Sequence, residues 1–257
     1  MNDKLLHFKE SELTAEQVAL LQSLYDGEVA SVDAELRKLL SDLEKKGLLQ
    51  DAVIVITADH GEEFREHGRM LHGRALYNET VRVPLIVVAP GYEGGRVVDE
   101  NVSLLDVAPT ILGLAGVPIP KSFEGRSLVP LLQRPGLLGA IDAWWQRWRA
   151  GGPSDVVLEL PRFSVQFDLR THTDGLVRQS TKLLLAPGGT AAVYDLAADP
   201  NETVPNPAAL NDTKTDLIAA LARRHGDTAA RAGAAAQSQP LDETTKDRLR
   251  ALGYKDF

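Results

Sequence analysis

The chain has 257 residues, 44% hydrophobic and 25% charged, and its 28 Lys+Arg against 36 Asp+Glu give a formal net charge of −8. That is a globular composition, long enough for one large domain or a main domain with a small one, and its acidity argues against nucleic-acid binding, which needs a basic footprint. The absence of cysteine excludes disulfide frameworks, cysteine-ligated zinc or iron–sulfur centres and any thiol nucleophile.

Helix-start residues over 11–17 precede Val18, Leu21 and Leu24 at helical spacing. A second helix is predicted over 29–46, with Val32, Leu36, Leu39, Leu40 and Leu43 on one face and Gly47 as its stop. Two unbroken apolar runs, 52–58 and 83–89, read as strands buried on both faces, and a helix is predicted over 103–116. Helices alternating with such strands imply a parallel α/β sheet covered on both sides. The breaker cluster Ala150-Gly151-Gly152-Pro153 then divides an α/β domain over 1–150 from a small α+β subdomain over 151–257. There, 156–160, 163–169, 175–179, 182–186 and 191–196 read as short strands of an antiparallel sheet, followed by helices over 208–224 and 243–252. The Ala-rich stretch 228–239 reads as a helix extension or a linker. No apolar run approaches the roughly 18 residues of a membrane span. The first ten residues lack signal-peptide character, so the expectation is a soluble protein, cytoplasmic as it stands and exported if a preceding segment carries a signal.

Chemistry concentrates in Thr57-Ala58-Asp59-His60-Gly61-Glu62-Glu63, directly after the first apolar strand. Asp offers a hard oxygen and His a neutral imidazole nitrogen, so the pair can place two donors on one divalent cation at a strand end. The same residues also fit a plain Asp-His-Gly turn with a surface histidine. His67 and His72 follow, so three of the six histidines fall within 60–72, among Glu62, Glu63, Arg65, Glu66, Arg69 and Arg74. Such a loop between two apolar strands reads as an active-site loop in which His or Arg binds a tetrahedral anion or protonates a leaving group. For His67 the favoured role is a loop-stabilising hydrogen bond; for His72 it is function. Trp144, Trp145 and Trp148 read as packing rather than a sugar platform, and His172 as a turn residue. Asn201-Glu202-Thr203 fits the glycosylation pattern only formally.

Asp59-His60-Gly61-Glu62, Glu66-His67-Gly68, His72-Gly73 and the run from Leu76 to Ile86 resemble the second half of a sulfatase, of the alkaline-phosphatase-like superfamily. The likeness continues through Leu104 to Leu112, Gly116-Val117-Pro118, Gly125-Arg126-Ser127-Leu128, Val193 to Leu196 with Asp199 to Glu202, and Leu249 to Tyr254. The resemblance implies a partial alkaline-phosphatase-like parallel sheet flanked by helices, then a small antiparallel sheet with C-terminal helices. It implies Asp59 and His60 as ligands of one divalent cation, usually calcium and otherwise magnesium or manganese. His72 falls where the family places a Lys or His against the sulfate or phosphate group, with His67 and Arg74 as anion contacts or loop support.

The family's nucleophile is a formylglycine made within a C/S-x-P-x-R motif, and no such motif occurs in this sequence. The expectation is therefore the later half of a metal-dependent sulfate-ester hydrolase acting on a small molecule or sugar, inactive alone, and either a truncated chain or one encoded beside a separate N-terminal half. Two other readings stand beside it: a non-catalytic accessory or binding domain, and a phosphate or phosphonate monoester hydrolase. Sulfate and phosphate esters share tetrahedral geometry, and these residues do not separate them.

Overall fold

The computed structural model describes residues 13–73, 75–92, 94–133, 155–159, 174–185, 190–206 and 219. Arg74, the three tryptophans, His172, the strand expected over 163–169 and the helix over 243–252 lie outside them, as does all of the helix over 208–224 except Ala219 and all of the Ala-rich stretch. The chain forms two compact units, one of residues 1–72 and 79–153, the other of 73–78 and 154–257.

In the first unit, α1 runs unbroken over Ala15–Lys45. Its N-cap is Thr14, whose side chain accepts from the Gln17 N–H while Gln17 reaches back, a reciprocal pair that satisfies two otherwise orphan donors. The two helices expected here are one. Gly27 sits mid-helix with nothing within 4 Å of where a Cβ would be, so it costs the helix only about 1 kcal/mol and does not break it. Within α1 only Val18 is buried; Val29, Val32 and Leu39, on the same side, are exposed. The helix is anchored near its start, where Tyr25 meets Phe64 edge-to-face at 5.4 Å and Arg65 donates to the Leu13 carbonyl at 2.8 Å.

β1 (Ile54–Thr57) and β4 (Leu85–Val88) pair antiparallel, with Ile54 opposite Val88 and Thr57 opposite Leu85. The parallel sheet expected to contain these runs is thus corrected here to an antiparallel pair. Parallel neighbours need a crossover of a dozen or more residues, usually helical. The connection here holds only the two-residue strands β2 (Glu63–Phe64) and β3 (Met70–Leu71) and the four-residue α2 (Asn78–Val81). Nor are both faces covered: Val55, Leu85 and Val87 share an apolar patch with Val107, Thr110 and Leu128, while Ile86 and Val88 on the other face are each 52% exposed.

The helix expected over 103–116 is a 3-10 turn, Leu104–Asp106, running into α3 (Val107–Leu114) and ending at Gly116 with φ +68°. Asp106 is buried because its carboxylate accepts the Ser103 and Arg126 N–H groups at 2.9 and 2.8 Å. Thr110 donates to the Asp106 carbonyl at 2.6 Å and accepts the Leu128 N–H at 2.8 Å, which brings in the short helix α4 (Val129–Leu132).

The second unit is built on a four-stranded antiparallel meander, β5 (Asp155–Glu159), β6 (Asp174–Arg178), β7 (Thr181–Leu185) and β8 (Ala191–Asp195), in that order. Each lies within a residue of its expected bounds. Leu176, Leu183 and Val193 are its apolar centre. Among the described residues, no helix is long and apolar enough to cross a membrane.

Candidate active site

β1 ends at Thr57, whose hydroxyl donates to the Pro84 carbonyl at 2.8 Å, and Asp59 and His60 emerge two and three residues later. Asp59 Oδ1 accepts the His60 N–H at 3.0 Å, and Asp59 Oδ2 lies 3.7 Å from His60 Nε2. The other ring nitrogen, Nδ1, is 2.8 Å from the Gly61 carbonyl oxygen. A carbonyl can only accept, so Nδ1 carries the proton, and in the neutral ring Nε2 carries the lone pair.

Gly61 is required by a close approach: its N–H donates to the Thr80 carbonyl at 2.8 Å, and a Cβ there would overlap the Glu79 carbonyl. The turn after Asp59-His60 is thus pressed onto α2. A second tie comes from His67, whose Nδ1 is 2.6 Å from Glu79 Oε1, both side chains largely buried. Glu63, 1% exposed, accepts the His67 and Arg69 N–H groups at 3.2 and 2.9 Å and so shapes the β2–β3 turn. Arg65 and Leu71 take positive φ of 73° and 70° there, a region non-glycine residues rarely enter.

His72 follows Leu71 and is brought onto His60: the rings stack with centroids 3.9 Å apart, 25° from parallel. Glu62 Oε2 lies 3.2 Å from His72 Nδ1. That hydrogen bond holds the His72 imidazole above the usual histidine pKa; partial burial opposes it, and the charges of Glu62 and Asp59 add to it.

Asp59, His60 and His72 therefore share one exposed site, with Glu62 as a member that sequence reading had only among flanking charges. Glu63 and Glu79 were likewise missed as structural partners; an acid's burial is set by its fold, and no spacing rule announces it. Among the described residues no three His, Asp or Glu side chains are gathered closely enough to hold a metal ion. Asp59 and His60 still fit as part of a site. Donors that each bind one cation at about 2.1–2.5 Å can lie up to roughly 4 Å apart, and the 3.7 Å separation falls inside that span. They supply two of the six or more donors that a hard cation takes.

The fold matches known proteins. In the phosphonate monoester hydrolase SpPMH from Silicibacter pomeroyi, 86% of this chain superposes on 43% of that one, with TM-score 0.64 and 25% identity. BT4656, solved in complex with its substrate D-glucosamine-2-N,6-O-disulfate, matches 77% of this chain and 39% of its own, with TM-score 0.59 and 27% identity. The class is the alkaline-phosphatase-like α/β fold.

Residues 8–117 match the Sulfatase family model. Arylsulfatase K of Gallus gallus is 34% identical over 194 residues, 74% of this chain and 34% of the relative. That of Homo sapiens is 35% identical over 118 residues, 46% of this chain and 22% of the relative. The chain belongs to the sulfatase family, whose members generally use a divalent metal and a formylglycine. It spans about a third or less of the length of these curated relatives.

Proposed function

We propose that this chain carries the metal- and anion-binding part of a sulfate-ester hydrolase. The observation that supports it is the stacking of His72 on His60 beside Asp59, inside the stretch that matches the sulfatase family model. Asp59 and His60 would hold a divalent cation, calcium in preference to magnesium or manganese; such an ion neutralises charge on the ester's oxygens as a Lewis acid. Glu62, bonded to His72 Nδ1, favours the imidazolium form of His72, which can donate to a sulfate oxygen and balance charge as the ester bond to sulfur breaks. The nucleophile would come from a segment outside these 257 residues that carries C/S-x-P-x-R, the first half of a sulfatase fold, because the sequence itself holds neither cysteine nor that motif.

The test is equilibrium binding to the purified chain, first of Mn2+ and then of inorganic sulfate. Asp59→Ala and His60→Ala should abolish the metal response, and His72→Ala the sulfate response alone. Binding untouched by all three variants would remove the site. Aryl-sulfate turnover by the chain alone, above a His60→Ala control, would overturn the assignment of the nucleophile to another segment. The phosphonate reading draws on the 0.64 TM-score to SpPMH. Stronger binding of phenylphosphonate than of sulfate would favour it.

A further inference from the structure

The second unit contains a buried ion pair that the proposed chemistry leaves unused. Lys182, the second residue of β7, and Glu202 have fully buried side chains, with Lys182 Nζ 2.7 Å from Glu202 Oε1. Burying both charges sacrifices their hydration, so such a pair adds little stability for its cost and is better read as fixing an arrangement. Glu202 also takes a φ of +55°, a region few non-glycine residues occupy. What the pair fixes is Asn78. Glu202 Oε2 accepts the Asn78 N–H at 2.6 Å, Lys182 Nζ donates to Asn78 Oδ1 at 3.1 Å, and Asn78 Nδ2 donates to the Pro200 carbonyl at 3.1 Å.

Asn78 is the first residue of α2, and the next two residues hold the candidate site. Glu79 is bonded to His67, and the Thr80 carbonyl accepts the Gly61 N–H. Upstream, only five residues separate Asn78 from His72. We infer that Lys182, Glu202 and Asn78 are positioning residues: they set where α2 starts, and through Glu79 and Thr80 they set the turn that presents Asp59 and His60. This rests on the reading of Asp59, His60 and His72 as the site.

The test is peptide-resolved hydrogen–deuterium exchange on the whole 257-residue chain, with Mn2+ titration alongside. Asn78→Ala removes the side-chain links and leaves Lys182 and Glu202 paired. It should speed exchange at the Gly61 amide about tenfold while Leu176 and Leu183 in the sheet stay protected. Asn78→Asp, which keeps an acceptor for Lys182, should restore most of the protection. The double variant Lys182→Met/Glu202→Gln should raise Gly61 exchange in the same way, and Mn2+ affinity should fall about tenfold or more with either loss. Unchanged exchange at Gly61 in both variants would overturn the inference. So would loss of protection at Leu183 in both, which would make the cluster a determinant of the sheet alone. Should the unsubstituted chain fail to bind Mn2+, the metal reading falls, and the exchange arm still decides the positioning role.

Discussion

Glu62 and His72 stand ten residues apart in sequence and 3.2 Å apart in space, and this pair sets the charge of the candidate site. Because the folded pKa of His72 is raised above 6.5, its protonated form is favoured in the folded chain. The associated stability is fully present below the unfolded pKa and is lost as pH rises through the folded one. Glu62→Gln should bring the titration midpoint of His72 down toward 6.5. Histidine C2-proton exchange followed by mass spectrometry, without added divalent ion, reads this directly. An unchanged midpoint would remove Glu62 as the cause.

Two glycines should respond in opposite directions to alanine. Gly61→Ala drives a methyl group into the Glu79 carbonyl and should break the Gly61–Thr80 bond, costing at least about 2 kcal/mol and exposing the turn to exchange. Gly27→Ala, in the open middle of α1, should stabilise the helix by about 0.5–1 kcal/mol, seen as increased helicity by circular dichroism.

Glu63→Ala should leave the His67 and Arg69 N–H groups without their buried acceptor, at a cost of about 1–3 kcal/mol, and raise exchange over 65–70. Glu63→Gln retains an acceptor oxygen and should cost distinctly less.

The apolar side of α1 and the outer face of β4 should make the isolated chain self-associate. Val32 is 66% exposed and Ile86 52%, and β1 and β4 pair only with each other among the described residues. Val32→Glu with Ile86→Lys should shift the sedimentation distribution toward monomer without loss of helicity. A monodisperse unsubstituted chain would refute this.

The apolar runs and hairpin turns marked six of the eight described strands and missed the two-residue β2 and β3, since unbroken apolar runs and turn residues are local signals. The direction in which β1 and β4 pair was not local. It depends on how the chain returns through 58–84, where a short hairpin and one turn of helix stand in place of a crossover. The single long α1 was hidden for the opposite reason: Gly27 is a breaker by propensity, but its weak local preference loses to the cooperativity of 31 residues. Asp59, His60 and His72 were legible because their chemistry is rare and their spacing tight. Glu62, Glu79 and Lys182 were not, because a charged side chain declares its partner only once the backbone has brought the two together.

The segment 73–78 gives the second unit a piece of chain from between two pieces of the first. The polypeptide therefore passes between the units three times, and no single cut separates them. A C-terminal fragment beginning near residue 154 would hold Lys182 and Glu202 without their partner Asn78. The small sheet is consequently not a portable module: an intact second unit needs the six residues that directly follow His72.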